Sequence, residues 1–322
     1  MRTVERRRVL RWVRVLLAVA IVAGVVYAFV DQWPRVRPQL ARFDAVHLVL
    51  AFVAIVVALA ASMLSWRAML DELGSRLGLR DAARIYFVGQ VGKYLPGSVW
   101  PALVQMELGR SAGVPRARMG VSFVLALAIS LLTGALIGLP TLLSTGRYLV
   151  PALVLIVLVA PILVFPRLLG GVLNAGLRLI RRPPLPEPLR RKGIAKVVGF
   201  AAIGWVAYGV QTWLLALDLG AAPARALPVA IGAYAVALVL GVVVVLAPAG
   251  VGVREVMLVI GLASVLPSGA ATALAIVARA LVTVADVAAA LTGLFLRRRA
   301  PAALPVPDPA MAMRDTDKSQ GT

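Results

Sequence analysis

The sequence has 322 residues, 61% of them apolar and 15% charged, with a formal charge of +20, whereas soluble domains run at about 45–50% apolar. Apolar residues in long blocks separated by basic segments mark a polytopic membrane protein and exclude nucleic acid as the partner of that charge, which faces anionic lipid instead. The absence of cysteine excludes disulfides and thiol chemistry, and a single histidine, His47, leaves no His-based metal cluster or catalytic triad.

Blocks of about 20 apolar residues can cross the hydrocarbon core. The first two run over 13–31 and 46–66. A basic stretch, 1–12, precedes the first block, and no small-residue cleavage site follows it, so the block reads as a retained span rather than a signal peptide. His47 falls at the start of the second span as an interfacial residue.

Residues 80–113, RDAARIYFVGQVGKYLPGSVWPALVQMELGRSAG, come next. They hold two apolar segments of about 12 residues, too short to cross. Pro96 disfavours helix at Leu95 and Gly97 permits a sharp reversal. Ser98 is then placed to cap a second short helix, with Pro101 tolerated in its first turn. The expected form is helix, break, helix, re-entering the membrane from one side. Broken backbone at that depth is tolerated only where protein buries it or where it lines a wet cavity. The second half-helix would turn its free N–H groups toward that cavity, and Lys93 adds a positive charge, which together suit an anion such as a lipid phosphate. Two other readings compete. GQVGKY lacks the GxxxxGK[ST] spacing of a nucleotide loop and has Tyr94 where the hydroxyl residue belongs. A purely structural hairpin with Lys93 reaching to the interface accounts for the same residues.

Spans three and four lie at 119–141 and 148–166. Gly134 and Gly138 (GALIG) form a small-xxx-small pattern for close packing within the bundle or between copies. Residues 167–182 read as an amphipathic helix on the membrane surface, and RRPPLPEPLRRKG as a stiff basic linker. Spans five and six follow at 197–218 and 227–247. LAPAGVGVREVMLVIGLASV (246–265) then breaks the apolar run at Pro248, Gly250 and Gly252 and sets Arg254 and Glu255 at the start of a short helix. A short seventh span, 252–266, ends at Pro267-Ser268-Gly269, and an eighth runs over 270–296. Residues 297–322 cannot bury a core and read as a disordered tail. The expected fold is an all-α polytopic membrane helix bundle of about eight spans with re-entrant and broken helices, in one membrane domain over 13–296. Twenty-eight of the 34 Lys and Arg fall on one set of connecting segments and five on the other. By the positive-inside rule both termini are cytoplasmic.

Arg254, Glu255, Arg279 and Asp286 lie in or beside apolar spans. A charge at the centre of a span costs about 2.5–3.5 kcal/mol on insertion scales and usually faces the bundle interior or water. Arg279 and Asp286 stand two helical turns apart and share a face. Pairing among the four, structural or functional, would reduce that cost. Glu255, just after the glycine break, has three readings: holding a cationic headgroup, taking up a proton, or pairing with Arg279. Paired breaks in the two halves of a chain also occur at transporter binding sites.

GKYLPGSVW and PAGVGVREVMLVIGL, in that order and several spans apart, resemble the lysylphosphatidylglycerol synthase transmembrane (flippase-like) family, over roughly residues 10–296. Gly97-Ser98 stands where that family often has two glycines, and Pro248-Ala249-Gly250 where it often has Pro-Gly-Gly. The bacterial multiple peptide resistance factors of that family join such a membrane unit to an aminoacyl transferase. With about 26 residues after its last span, this chain is expected to stand alone without that transferase and not to be an enzyme. The resemblance implies a route for lipid headgroups past Lys93, Tyr94, Pro96, Gly97, Pro248, Gly250, Gly252, Arg254 and Glu255. Ser98, Glu107, Arg279 and Asp286 complete the candidate residues.

Two functions follow as expectations. One is translocation of a phospholipid or lipid-linked headgroup across the cytoplasmic membrane, with an anionic or aminoacylated phospholipid or a lipid-linked sugar as partner. The other is an accessory protein that recruits an envelope biosynthetic enzyme through its basic loops. No cofactor or metal is expected, and a homo-oligomer stays open.

Overall fold

The computed structural model describes residues 34, 37–94, 99–143, 171, 189–243 and 252–296. The expected spans at 13–31 and 148–166, the amphipathic segment apart from Gly171, the proline-rich part of the linker and the tail lie outside these residues. Among the described residues the protein is helical with no strand. In chain order the helices are α1 (Ala45–Glu72), α2 (Leu79–Gln90), a 3₁₀ turn (Val91–Tyr94), α3 (Trp100–Arg110), α4 (Arg116–Leu143), α5 (Arg191–Asp218), α6 (Pro223–Val243), α7 (Val253–Leu262) and α8 (Ser268–Phe295).

Five of these, α1, α4, α5, α6 and α8, are long and apolar enough to cross a membrane. Their outer faces are apolar too. Val46, Val49, Val53 and Val56 on α1 and Val284, Val287, Leu291 and Leu294 on α8 form exposed stripes at helical spacing. A helix apolar all round belongs in a core or in lipid, and an exposed stripe of this kind has lipid as its solvent. With no hydrophobic force between helices in lipid, close contact of small residues holds the bundle. Ala226, Ala230, Ala233 and Ala237 of α6 and Ala271, Ala275 and Ala278 of α8 line its interior accordingly. A second packed region, around Trp66, Met69, Ile85, Met119 and Ile194, joins α1, α2, α4 and α5.

Polar clasps at both ends fix α1 against α5. Asp44 caps α1 by accepting from the Val46 and His47 amides, and Asp218, the last residue of α5, accepts from the Asp44 amide at 3.1 Å. His47, in the first turn of α1 as expected, lies 2.5 Å from Asp218 through Nδ1. At the opposite end Glu72 of α1 pairs with Arg190 at 3.0 Å, just before α5. The two helices therefore run antiparallel along their full length.

The GALIG glycines are spent inside the bundle. A Cβ on Gly134 would fall 2.5 Å from the Trp205 ring of α5, and one on Gly138 would fall 2.6 Å from Val236 of α6. The expected seventh span also takes a different form. Its helix, α7, has ten residues, about 15 Å at 1.5 Å per residue, which is half of what a crossing needs. It packs against α6 and α8 as a half-length helix rather than as the expected span.

Candidate functional site

The described residues of 80–113 form α2, the 3₁₀ turn and α3. Glycines set its tightness. A Cβ on Gly92 would lie 2.7 Å from the Pro101 backbone nitrogen, and one on Gly89 would lie 2.5 Å from the Gln105 side chain. Any larger residue would push α3 away from the turn. The helix start falls to Val99, with Pro101 in the first turn and no side-chain cap. The proline there leaves one amide fewer to satisfy at the helix start. Pro96, Gly97 and Ser98 lie outside the described residues, as do Pro248 and Gly250.

The turn sets two side chains against one carboxylate. Lys93 Nζ lies 2.6 Å from Asp286 Oδ2, and the Tyr94 hydroxyl donates to the same oxygen at 2.6 Å. Asp286 is in α8, well inside a spanning helix, and its side chain is 1% exposed against 29% for Lys93. The second break meets the same helix. Gly252 has a φ of +89°, a conformation that favours glycine, and from there α7 begins. Glu255 folds back so that its Oε2 accepts from the Gly252 amide at 2.7 Å, while Oε1 lies 3.7 Å from Arg279 of α8. The carboxylate thereby satisfies one of the free amides at a helix start and sits at its positive end.

Arg254, beside it, takes a different partner. It donates to the Tyr234 hydroxyl of α6 and sits 4.7 Å from that ring's centroid. Tyr234 is in turn stacked on Tyr208 of α5, with centroids 5.0 Å apart and planes at 15°. Such cation–ring contact contributes about 0.5–2 kcal/mol depending on desolvation.

So α8 carries two ion pairs, one to each broken segment. Lys93, Tyr94, Gly252, Arg254, Glu255, Arg279 and Asp286 come together along it. Of the partners weighed from sequence, Arg279 finds Glu255, whereas Asp286 turns to Lys93 of the distant first segment. Formally, Lys93, Arg254 and Arg279 face two carboxylates, which leaves one positive charge in excess among the described residues. That arrangement can hold an anion and can exchange one ion-pair partner for another. Glu107 is not part of it. It sits on an exposed face with Arg116 and Arg110, and the Arg116 hydrogen bond holds its carboxyl below the ordinary carboxylate range. Tyr208 and Tyr234 were not singled out by sequence. The available signal was a polar tip inside an apolar run, in a chain with only 6 tyrosines.

No curated protein matches the chain. A family model described as the lysylphosphatidylglycerol synthase TM region matches residues 15–290, a span that takes in both broken segments and all of α1 through α7.

Proposed function

Since the chain belongs to the lysylphosphatidylglycerol synthase transmembrane-region family, membrane proteins linked to lipid handling, we propose that it moves a lipid headgroup across the membrane between its two broken segments. The observation that carries this reading is the pair of ion pairs on α8, Lys93–Asp286 and Arg279–Glu255, each reaching a segment that is too short to cross. Charges at this depth are costly unless they are paired or face a cavity. Here the pairing groups sit on short segments with bent entries, which can shift relative to a long helix. The excess positive charge suits the phosphate of a phospholipid or lipid-linked sugar, while the acyl chains stay in lipid. The chain acts as a carrier in this reading and not as a catalyst, and the membrane is the cytoplasmic one.

Lipids that copurify with the intact protein in native membrane discs test the reading, measured beside Lys93→Ala and Glu255→Gln. One lipid class should be enriched over the bulk membrane, and the enrichment should fall at least severalfold in both variants. If all three samples mirror the bulk membrane, the carrier reading fails and the recruiting role of the basic loops takes its place.

A further inference from the structure

Asp286 is the more enclosed of the two carboxylates in the cluster, and its two oxygens are in different situations. Oδ2 receives both donors of the re-entrant turn, the Lys93 ammonium and the Tyr94 hydroxyl. Oδ1 is buried with no hydrogen-bond partner among the described residues. A buried acceptor left without a donor is costly and rare in proteins. The titratable groups that interact with Asp286 are Lys93 and Tyr94 of the turn, Tyr86 of α2, Tyr208 of α5 and Tyr234 of α6, while Arg254 and Glu255 of α7 and Arg279 on its own helix act on Tyr234 beside it. From α1, the apolar side chains of Phe52, Ile55 and Leu59 pack against this stretch of α8. Glu255 is committed to Arg279 and the start of α7. Asp286 is therefore the one carboxylate bonded to Lys93 among the described residues.

We propose that Asp286 is a proton-binding site, and that Lys93 exchanges its carboxylate for the phosphate of a lipid headgroup as the proton arrives. The inference rests on the headgroup reading above and adds a second ligand to it. A proton from water adds to Oδ1, one O–H bond forms there, and the carboxylate becomes a neutral acid. Lys93 then stands without a counter-ion at a depth where an unpaired charge is strongly disfavoured. Its ammonium is the more exposed partner, so it is the one that can turn outward to an anion. When the headgroup leaves, Lys93 returns and the proton is released. One proton is taken up for each anionic headgroup bound. Linkage then makes headgroup affinity fall as pH rises, by at most about tenfold per pH unit.

The test titrates the purified full chain in detergent with short-chain dihexanoyl phosphatidylglycerol, by calorimetry in buffers of different ionisation enthalpy and at several pH values. The expected result is uptake of close to one proton per lipid and an affinity that weakens with rising pH. Asp286→Asn should bind with no proton uptake and a flat pH profile. Should that variant fail to fold, Lys93→Met serves in its place, with weaker binding and no proton uptake in what remains. Wild-type binding with no uptake and a flat profile overturns the proton site and leaves the headgroup reading standing. Uptake that persists in Asp286→Asn also overturns it. No binding at any pH removes both readings together.

Discussion

Gly209 and Gly199 occupy the same helix, α5, and respond to the same substitution in opposite ways. A Cβ on Gly209 would fall 2.5 Å from the Cα of Ile231 in α6, whereas one on Gly199 would meet nothing within 4 Å. Backbone cannot move aside as a side-chain tip can, so Gly209→Ala should separate α5 from α6 and cost about 1–3 kcal/mol. Thermal unfolding in detergent should show a drop of several degrees for Gly209→Ala and none for Gly199→Ala. The charged residues of the site were legible in the sequence at this scale, because an ionisable group in an apolar run stands out. Glu107 stands out in the same way and belongs elsewhere, since Arg110 and Arg116 hold it on an exposed face. The tyrosine pair under Arg254 was illegible for the converse reason: a tyrosine in an apolar run is ordinary until its hydroxyl has a named partner.

The 3₁₀ turn after α2 is held by its last two residues. Lys93 and Tyr94 both bond to one carboxylate oxygen, and hydrogen bonds to charged groups contribute about 1.5–3 kcal/mol each. Removing one of them by Tyr94→Phe should raise hydrogen exchange of the amides at 88–94 by about 10- to 100-fold, with the middle of α1 unchanged. Equal exchange in variant and wild type would show that the hairpin is held by its packing on α4 and α8 instead. Two short helices were readable in 80–113 because segments of about 12 residues limit what can form. The partner of the turn was not readable. A seven-residue spacing puts Arg279 and Asp286 on one face of α8, but it does not say which element covers that face.

At the scale of the whole molecule, membrane class and helical fold followed from composition and block length, and five long apolar helices agree with them. The seventh block was harder, because a run of apolar residues does not reveal where a helix ends; the helix after Gly252 has only ten residues and stops at Leu262. Orientation rests on the distribution of basic residues, 28 against five, and it gives a direct expectation. The chain contains no cysteine, so single cysteines report without background. Arg76→Cys, past the Glu72 end of α1, should react with an impermeant maleimide only after cells are opened. Ala222→Cys, between α5 and α6, should react in intact cells. The reverse pattern would invert the molecule in the membrane.

Both ion pairs hang on α8, and this makes the chain intolerant to changes in length there. Between Arg279 and Asp286 the helix turns almost twice, so the two side chains differ in azimuth by only about 20°. One residue inserted between them would swing one partner by about 100° away from its mate, with every original side chain still present. Four inserted residues would swing it by only about 40°, though they would also carry it about 6 Å along the axis. A single alanine inserted after Val282 should therefore abolish lipid enrichment as fully as Lys93→Ala. The same alanine inserted after Ser111, in the turn between α3 and α4, should leave enrichment intact.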